Sequence, residues 1–359
     1  MNRPESIRSP FPTVTICSRR LHTTLTFAAI MLLMGPASGS ATAQTVRKAH
    51  RGIIVVERDS LVRAMEPFMP VAGRAQAYAA IANDYKSRMT EARVYCMAIP
   101  TAAAFYLPDS VASWSSSEEE GIAAIYAHLK PGIAAVNLMP VLSSHTSENI
   151  YFRTDHHWTP LGAYYAAEAF AREAGVGFLP LADYDTCVVR AFVGTMPRFA
   201  RDKRVGRVPE DFVYYKPRTV EYTTTRVRYT QSVRGRRGHR HKVLTAHQRE
   251  HCDFFHSHAD GSQQAYSTFM GGDYNTTSIC TSVGNGRRLL ILKDSYGNAL
   301  TSFLFGSFEE IHVVDCRYFT QNILRFAKER GITDVLFANN LLHAYTPATA
   351  QNLRKYLQQ

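Results

Sequence analysis

Four consecutive residues, Asp155-His156-His157-Trp158, place an acid, two imidazoles and an indole on one short stretch of the chain. Helix-start grammar follows at once: Thr159 can cap, and Pro160 suits the first helical position, where a missing N–H costs nothing. A helix is therefore expected through Ala163–Ala174, with the polar cluster on the loop at its entrance. A carboxylate two residues from an imidazole cannot share a helix face with it, but on an extended loop both can point the same way. That spacing suits an acid that fixes a histidine's tautomer while the histidine takes a proton. A nucleophile for such a base stands at Ser295, in the run Asp294-Ser295-Tyr296-Gly297-Asn298 that follows the apolar stretch 287–293. A serine there presents its hydroxyl at a strand-to-helix turn, beside backbone N–H groups able to hold an oxyanion. The plainer and commoner use of Asp294 or Ser295 is to cap the helix. Two further strand ends supply Asp315-Cys316-Arg317 and Asn339-Asn340. A strand-end asparagine can donate to an oxyanion, and an arginine can hold a carboxylate or phosphate.

These groups have to be carried by strands whose carboxyl ends converge, since ligands in open α/β sheets sit outside those ends. The runs 93–99, 133–138, 288–293, 311–315 and 333–338 read as buried strands. Helices are expected at Arg74–Met89, from the Ser115–Ser117 cap and acidic 118–120 turn to about Leu129, at Tyr296–Phe305, at Tyr318–Arg330 and after Thr346-Pro347. Buried apolar strands alternating with helices predict an α/β fold, a mostly parallel sheet with helices on both faces. The middle is richer in β-like pieces, at 187–193, 211–215 and 219–229, of which the last two read as a hairpin or an added lobe. A basic, β-rich insertion is placed at about 198–270.

Of the formal net charge of +11, ten come from Arg198–Glu250, which holds fifteen Lys and Arg against five Asp and Glu. Basicity therefore belongs to one segment. The N-terminus reads as an export signal: Arg19-Arg20, an apolar run Leu25–Met34, a Gly35-Pro36 break and a small-residue site at Ala41-Thr42-Ala43. The run is short of the ~20 residues needed to span a bilayer, so cleavage is expected after residue 43 and a periplasmic or extracellular location after that. Five cysteines then remain, too scattered for a disulfide framework, with Cys252 and Cys280 the one pair to consider.

The motifs TDHHW at Thr154–Trp158, LKDSYGNA at Leu292–Ala299 and VVDCRYF at Val313–Phe319 resemble those of the DHHW-motif proteins, relatives of the alginate O-acetyltransferase family. The resemblance covers most of the chain after the leader and implies a permuted SGNH (GDSL-like) hydrolase fold. It implies Asp155 as the orienting acid, His157 as the base and Ser295 as the nucleophile, with His156 in the motif's variable slot and Trp158 in the site wall. It further implies an asparagine and a glycine completing the oxyanion hole, for which Asn340 and either Gly194 or Gly272 are candidates, with Arg317 nearby as substrate support.

The expected activity is serine-dependent O-acyl transfer or ester hydrolysis, acetyl being the expected group, on an extracytoplasmic polysaccharide. The expected partners are an anionic or acetylated polysaccharide and, for the acyl group, a donor protein or lipid-linked system. No cofactor, metal or nucleic acid is expected. One alternative is a carbohydrate-binding protein that keeps the fold without turnover. Another is a metal-dependent hydrolase using the His-rich segment, where His247-Gln248-Arg249-Glu250-His251 has a zinc-peptidase spacing. A DHH triplet also occurs in metal phosphoesterases, but such chemistry needs more carboxylates than this loop offers. The basic run Arg234–Lys242 points, in an exported chain, to anionic polysaccharide or a membrane surface, with simple solvation the default. Sequencing the N-terminus of the exported protein should start at or near Gln44; a membrane-embedded product retaining Met1 would refute the signal.

Overall fold

The computed structural model describes residues 44–236, 239–273 and 275–359; the expected signal segment, residues 1–43, lies outside them. The described chain opens with a small antiparallel sheet of β1 (Thr45–Lys48), β2 (Ile54–Arg58) and β3 (Leu61–Met65). The main sheet begins with β4 (Arg93–Ile99) and β5 (Ile133–Ala135). An antiparallel pair, β6 (Tyr184–Phe192) and β7 (Glu210–Pro217), stands apart from it. Then come β8 (Tyr222–Arg236), β9 (His239–His251), β10 (Asn275–Thr281), β11 (Arg288–Lys293), β12 (Glu310–Asp315) and β13 (Asp334–Asn340). The eight-stranded sheet runs β5-β4-β13-β11-β12-β10-β8-β9.

The five strands from β5 to β12 are parallel, while β10, β8 and β9 are added antiparallel. The sheet is therefore mixed, which corrects the expectation of a mostly parallel one. Its parallel half is what the apolar runs dictate. In β4, Tyr95, Met97 and Ile99 enter one core while Val94, Cys96 and Ala98 enter the other, so both faces are covered. Helices Pro160–Ala174 and Tyr296–Ser302 pack on the first face. Helices Arg74–Arg88, Glu118–Tyr126, Ile323–Glu329 and Pro347–Gln358 pack on the second. Caps sit where side chains allow. Ser117 accepts from Glu120 N–H at 3.1 Å, and Thr159 from Gly162 N–H at 3.2 Å. The helix expected from Tyr318 starts only at Ile323, because Asn322 is its cap, accepting from Arg325 N–H at 2.8 Å.

The middle of the chain pairs differently from expectation. The strand holding 211–215 is β7, and its partner is β6; the strand holding 219–229 is β8, which joins the main sheet through β10. They do not form a hairpin with each other. β8 is longer than β10, so its far half, residues 229–236, pairs with β9 alone in a ribbon that runs past the sheet. A strand pair outside the covered part of a sheet need not alternate apolar with polar residues, so a sequence rich in Arg, His and Gly can form it. Arg237 of the basic run lies outside the described residues. The His247–His251 stretch falls on β9, and residues four apart on a strand are roughly 13 Å apart, too far to share one zinc. All five cysteines of the described residues are free thiols, Cys252 and Cys280 included. No helix among the described residues is long and apolar enough to cross a membrane.

The helix that follows the DHHW loop is seated by a missing side chain. A Cβ on Gly162 would lie 2.4 Å from the carbonyl oxygen of Ile150 and 3.3 Å from Trp158 Cβ. Gly162→Ala should therefore force helix and loop apart, lowering stability by about 1–3 kcal/mol in denaturant melts. An unchanged midpoint would show that this contact gives way freely.

Candidate active site

The DHHW loop closes on itself. Tyr151 and Trp158 form an isolated bridge, Phe152 N–H donates to His157 O at 3.3 Å, and Thr159 N–H to Ile150 O at 3.0 Å. The bulge between them is stapled by Glu210 at the start of β7. Its buried carboxylate accepts from the N–H groups of Arg153 and Thr154 at 2.9 and 2.7 Å, and from Thr154 Oγ1 at 2.7 Å. Two bonds tie the loop to the start of helix Tyr296–Ser302. Trp158 Nε1 donates to Tyr296 O at 3.1 Å, and the Tyr296 hydroxyl donates to His156 O.

At that helix start the capping question resolves between neighbours. Asp294 Oδ1 accepts from Tyr296 N–H at 3.0 Å, while the Ser295 side chain makes no cap bond. Ser295 Oγ is left free for His157, and it lies 2.7 Å from Nε2. His157 Nδ1 lies 2.5 Å from Asp155 Oδ1. Because an ionised carboxylate only accepts, the proton belongs on Nδ1, and Nε2 is the acceptor for the serine hydroxyl. The other carboxylate oxygen, Asp155 Oδ2, accepts from Thr195 N–H at 2.8 Å and Thr195 Oγ1 at 2.9 Å. Burial alone would raise the Asp155 pKa. The neighbouring imidazoles of His157 and His156 and the bonds from His157 and Thr195 overcome it and hold the carboxyl far below its usual range. The His157 ring is also stacked on Tyr266, with centroids 3.8 Å apart and planes within 6°. All three members of the hydrogen-bonded chain are buried, with Ser295 and His157 each 6% exposed.

They open onto a cavity of about 560 Å³, whose wall also includes His156, Asn340, Arg317, Asp273 and His343. His156 bonds Thr195 Oγ1 through Nδ1 at 2.8 Å, and burial beside the His157 ring pushes its pKa down to about 3. Arg317 is clasped by carboxylates of its own chain: Asp315 at 2.8 and 2.7 Å, and Asp273 at 3.0 Å. A substrate anion would have to displace them, so Arg317 organises the cavity floor and is not a vacant clamp. Asn340 Oδ1 accepts from His343 N–H at 3.0 Å. Its Nδ2 lies 3.1 Å from His343 Nδ1, but that nitrogen already donates to Asp294 Oδ2 at 3.0 Å. One nitrogen cannot donate there and accept here, which leaves the Asn340 amide N–H groups available to a ligand.

Two expectations need correcting. Trp158 does not form the site wall; its indole is fully buried behind the cavity as a tie between loop and helix. Neither candidate glycine has a spare donor: Gly194 N–H is spent on Thr154 Oγ1 at 3.0 Å, and Gly272 N–H on Phe269 O at 3.2 Å. Gly194 serves instead by lacking a side chain, since a Cβ there would lie 2.3 Å from Asp155 Cβ. Thr195, Tyr266, Asp273 and His343 escaped the sequence. Of these only His343 carried a signal, three residues beyond Asn340, the spacing of a cap and the turn it caps. As for metals, one group of donors among the described residues is close enough together, Asp155, His156 and His157. An ion there would compete for the Asp155 and His157 atoms already bonded to each other, to Thr195 and to Ser295.

Burial would lower the pKa of His343, but the hydrogen bond and charge of Asp294 more than reverse this and leave it raised. Such a group stabilises fully below its unfolded pKa of about 6.5, and the contribution fades as pH rises through the folded value. The stability gap between wild type and His343→Ala should therefore be widest in mildly acidic buffer and narrow toward alkaline pH. A gap independent of pH in thermal melts would dismiss the Asp294 pairing as its source.

The chain matches the family model described as DHHW protein over residues 45–229 and 255–314. It is similar in structure to a DHHW family protein from Eubacterium siraeum, at 36% identity over 87% of this chain and 98% of that one, with a TM-score of 0.75. Bacillus cereus PatB1, solved with a sulfonyl adduct, is similar at 17% identity over 82% of this chain and 98% of that one, with a TM-score of 0.62, a likeness of fold alone. The O-acetyltransferase domain of Pseudomonas putida AlgJ is more remote, at 13% identity over 87% and 99% of the two chains and a TM-score of 0.44. That likeness is too slight to carry an argument. No curated protein matches the chain.

Proposed function

The chain belongs to the DHHW family, and on that premise we propose that it is a serine-dependent O-acyl transferase or esterase, acetyl being the expected group, acting on an extracytoplasmic polysaccharide. The observation that carries this is the unbroken chain from Asp155 through His157 to Ser295 Oγ, with links of 2.5 and 2.7 Å, at the floor of an open cavity. In this mechanism His157 Nε2 takes the proton as Ser295 Oγ attacks the ester carbonyl, and Asp155 steadies the imidazolium that results. The Ser295 N–H and the free Asn340 amide N–H groups are the proposed oxyanion donors. His157 then returns its proton to the leaving oxygen, and the acyl-serine passes to water or to a sugar hydroxyl activated by the same imidazole. Neutral His156, Gln264 and Asn340 in the cavity lining suit a polyhydroxylated acceptor better than an apolar one.

Intact-protein mass spectrometry after exposure to an activated acetyl ester should show one acetyl adduct on Ser295. Ser295→Ala should abolish it, and His157→Ala should slow its formation by about 10²–10⁴-fold. A folded wild-type protein that never acylates would sink the proposal and favour a binding role for the same cavity.

A further inference from the structure

A second recess, of about 370 Å³, adjoins the catalytic cavity; it is lined by His50, Arg51, Arg198, Phe199 and Arg201, and Arg198 and Phe199 are walls of both. No carboxylate lines it. Among the described residues Arg51, Arg198 and Arg201 form no ion pair, unlike Arg317, which is held by Asp315 and Asp273. Asp202, next to Arg201 in the chain, is already committed to Arg47 at 2.6 Å and to Arg204 at 3.0 Å. Exposed His50 sits among these charges, and its pKa is lowered by slight desolvation and by Arg201 and Arg51.

The backbone marks the same place. Arg51 has φ 59 and Arg201 φ 51, so two of the six described non-glycine residues with positive φ belong to this recess. Arg201 closes helix Met196–Ala200 in the left-handed conformation, a position where glycine is the usual residue because a Cβ is strained there. A long cationic side chain held at such a position twice over is tolerated against local preference, as at sites where strain serves binding. The recess is also registered to the catalytic residues through one neighbour. Arg198 and Phe199 N–H groups donate to Thr195 O at 3.2 and 3.1 Å, and Thr195 holds Asp155 through its own N–H and hydroxyl.

We infer that Arg51, Arg198 and Arg201 form an oxyanion-binding subsite that seats a carboxylate or phosphate of the acceptor glycan while a hydroxyl of that glycan reaches Ser295. Guanidinium groups offer paired N–H donors matched to either anion. The assignment of the anion to an acceptor rests on the acyl-transfer reading above; the presence of an anion subsite does not. It also divides the basic segment by role, since Arg198 and Arg201 line the recess while the other basic residues of the segment lie further along the chain.

The test is titration of full-length mature protein at low salt with oligogalacturonate, with poly(glycerol phosphate) and with a neutral dextran oligomer. Wild type should prefer at least one polyanion to the dextran, the carboxylate and phosphate arms showing which, and the preference should weaken as salt rises. An Arg51→Gly, Arg201→Gly double variant suits the left-handed backbone, so it should melt no lower than wild type while losing tenfold or more in polyanion affinity. In wild type, phenylglyoxal modification of Arg51 and Arg201, mapped by peptide mass spectrometry, should be slowed by the bound polyanion, a readout that needs no variant to fold. Equal binding of dextran and polyanions by wild type, undiminished polyanion binding by the variant, or unprotected arginines would each overturn the subsite. Loss of Ser295 acylation with the polyanion preference intact would instead strike the acyl-transfer reading and leave the subsite standing.

Discussion

A buried carboxylate dictates much of what surrounds it. Taking an ionised acid out of water costs several kcal/mol unless its lone pairs are met by fixed donors. Asp155 is 3% exposed and collects four: His157 Nδ1, His157 N–H, Thr195 N–H and Thr195 Oγ1. The donors on Thr195 can approach only because residue 194 has no side chain. A second buried acid, Glu210, works in the reverse direction, drawing donors from Arg153 and Thr154. With Met196 N–H on Thr154 O at 2.9 Å, the loop at 151–158 and the segment 194–210 are laced from both sides. An imidazole resting on such a frame has little freedom to turn, and stacking on Tyr266 removes more.

The serine side of the site is organised by a division of labour. Asp294 takes over the cap bond that Ser295 would otherwise make, and its other oxygen accepts from Asn340 N–H at 2.8 Å and from His343. The carboxyl ends of β11 and β13 are thereby locked together directly under the serine. At the neighbouring end of β12, Asp315 bonds buried Lys293 at 2.8 Å and Arg317. Three adjacent strand ends thus form one polar floor.

Much of this was legible because the signals were local. Continuous apolar runs marked β4, β11, β12 and β13, since strands covered on both faces need apolar residues at every position. Thr159-Pro160 and Ser117 marked helix starts that the hydrogen bonds show. What stayed hidden depended on pairing across the chain. The 211–215 and 219–229 runs look alike as β pieces, and nothing local says that one pairs backward with β6 and the other forward with β10. Thr195 and Tyr266 are ordinary residues until the fold brings them 40 and 109 positions back to Asp155 and His157. Trp158 misled for the opposite reason, because its place in the motif suggested a wall when its indole N–H is needed below.

The order of the sheet carries one more consequence. The strand last in sequence, β13, is inserted between β4 and β11, so β4 finds its neighbour on that side some 240 residues later, Arg93 opposite Asp334. High contact order of this kind makes for slow folding, because a long loop must close before the β4–β13 pairing is gained. Until the C-terminal strand arrives, β4 and β11 have exposed edges, and the polar floor under Ser295 lacks Asn340 and His343. A chain stalled short of residue 334 thus leaves these strand edges open to mispairing.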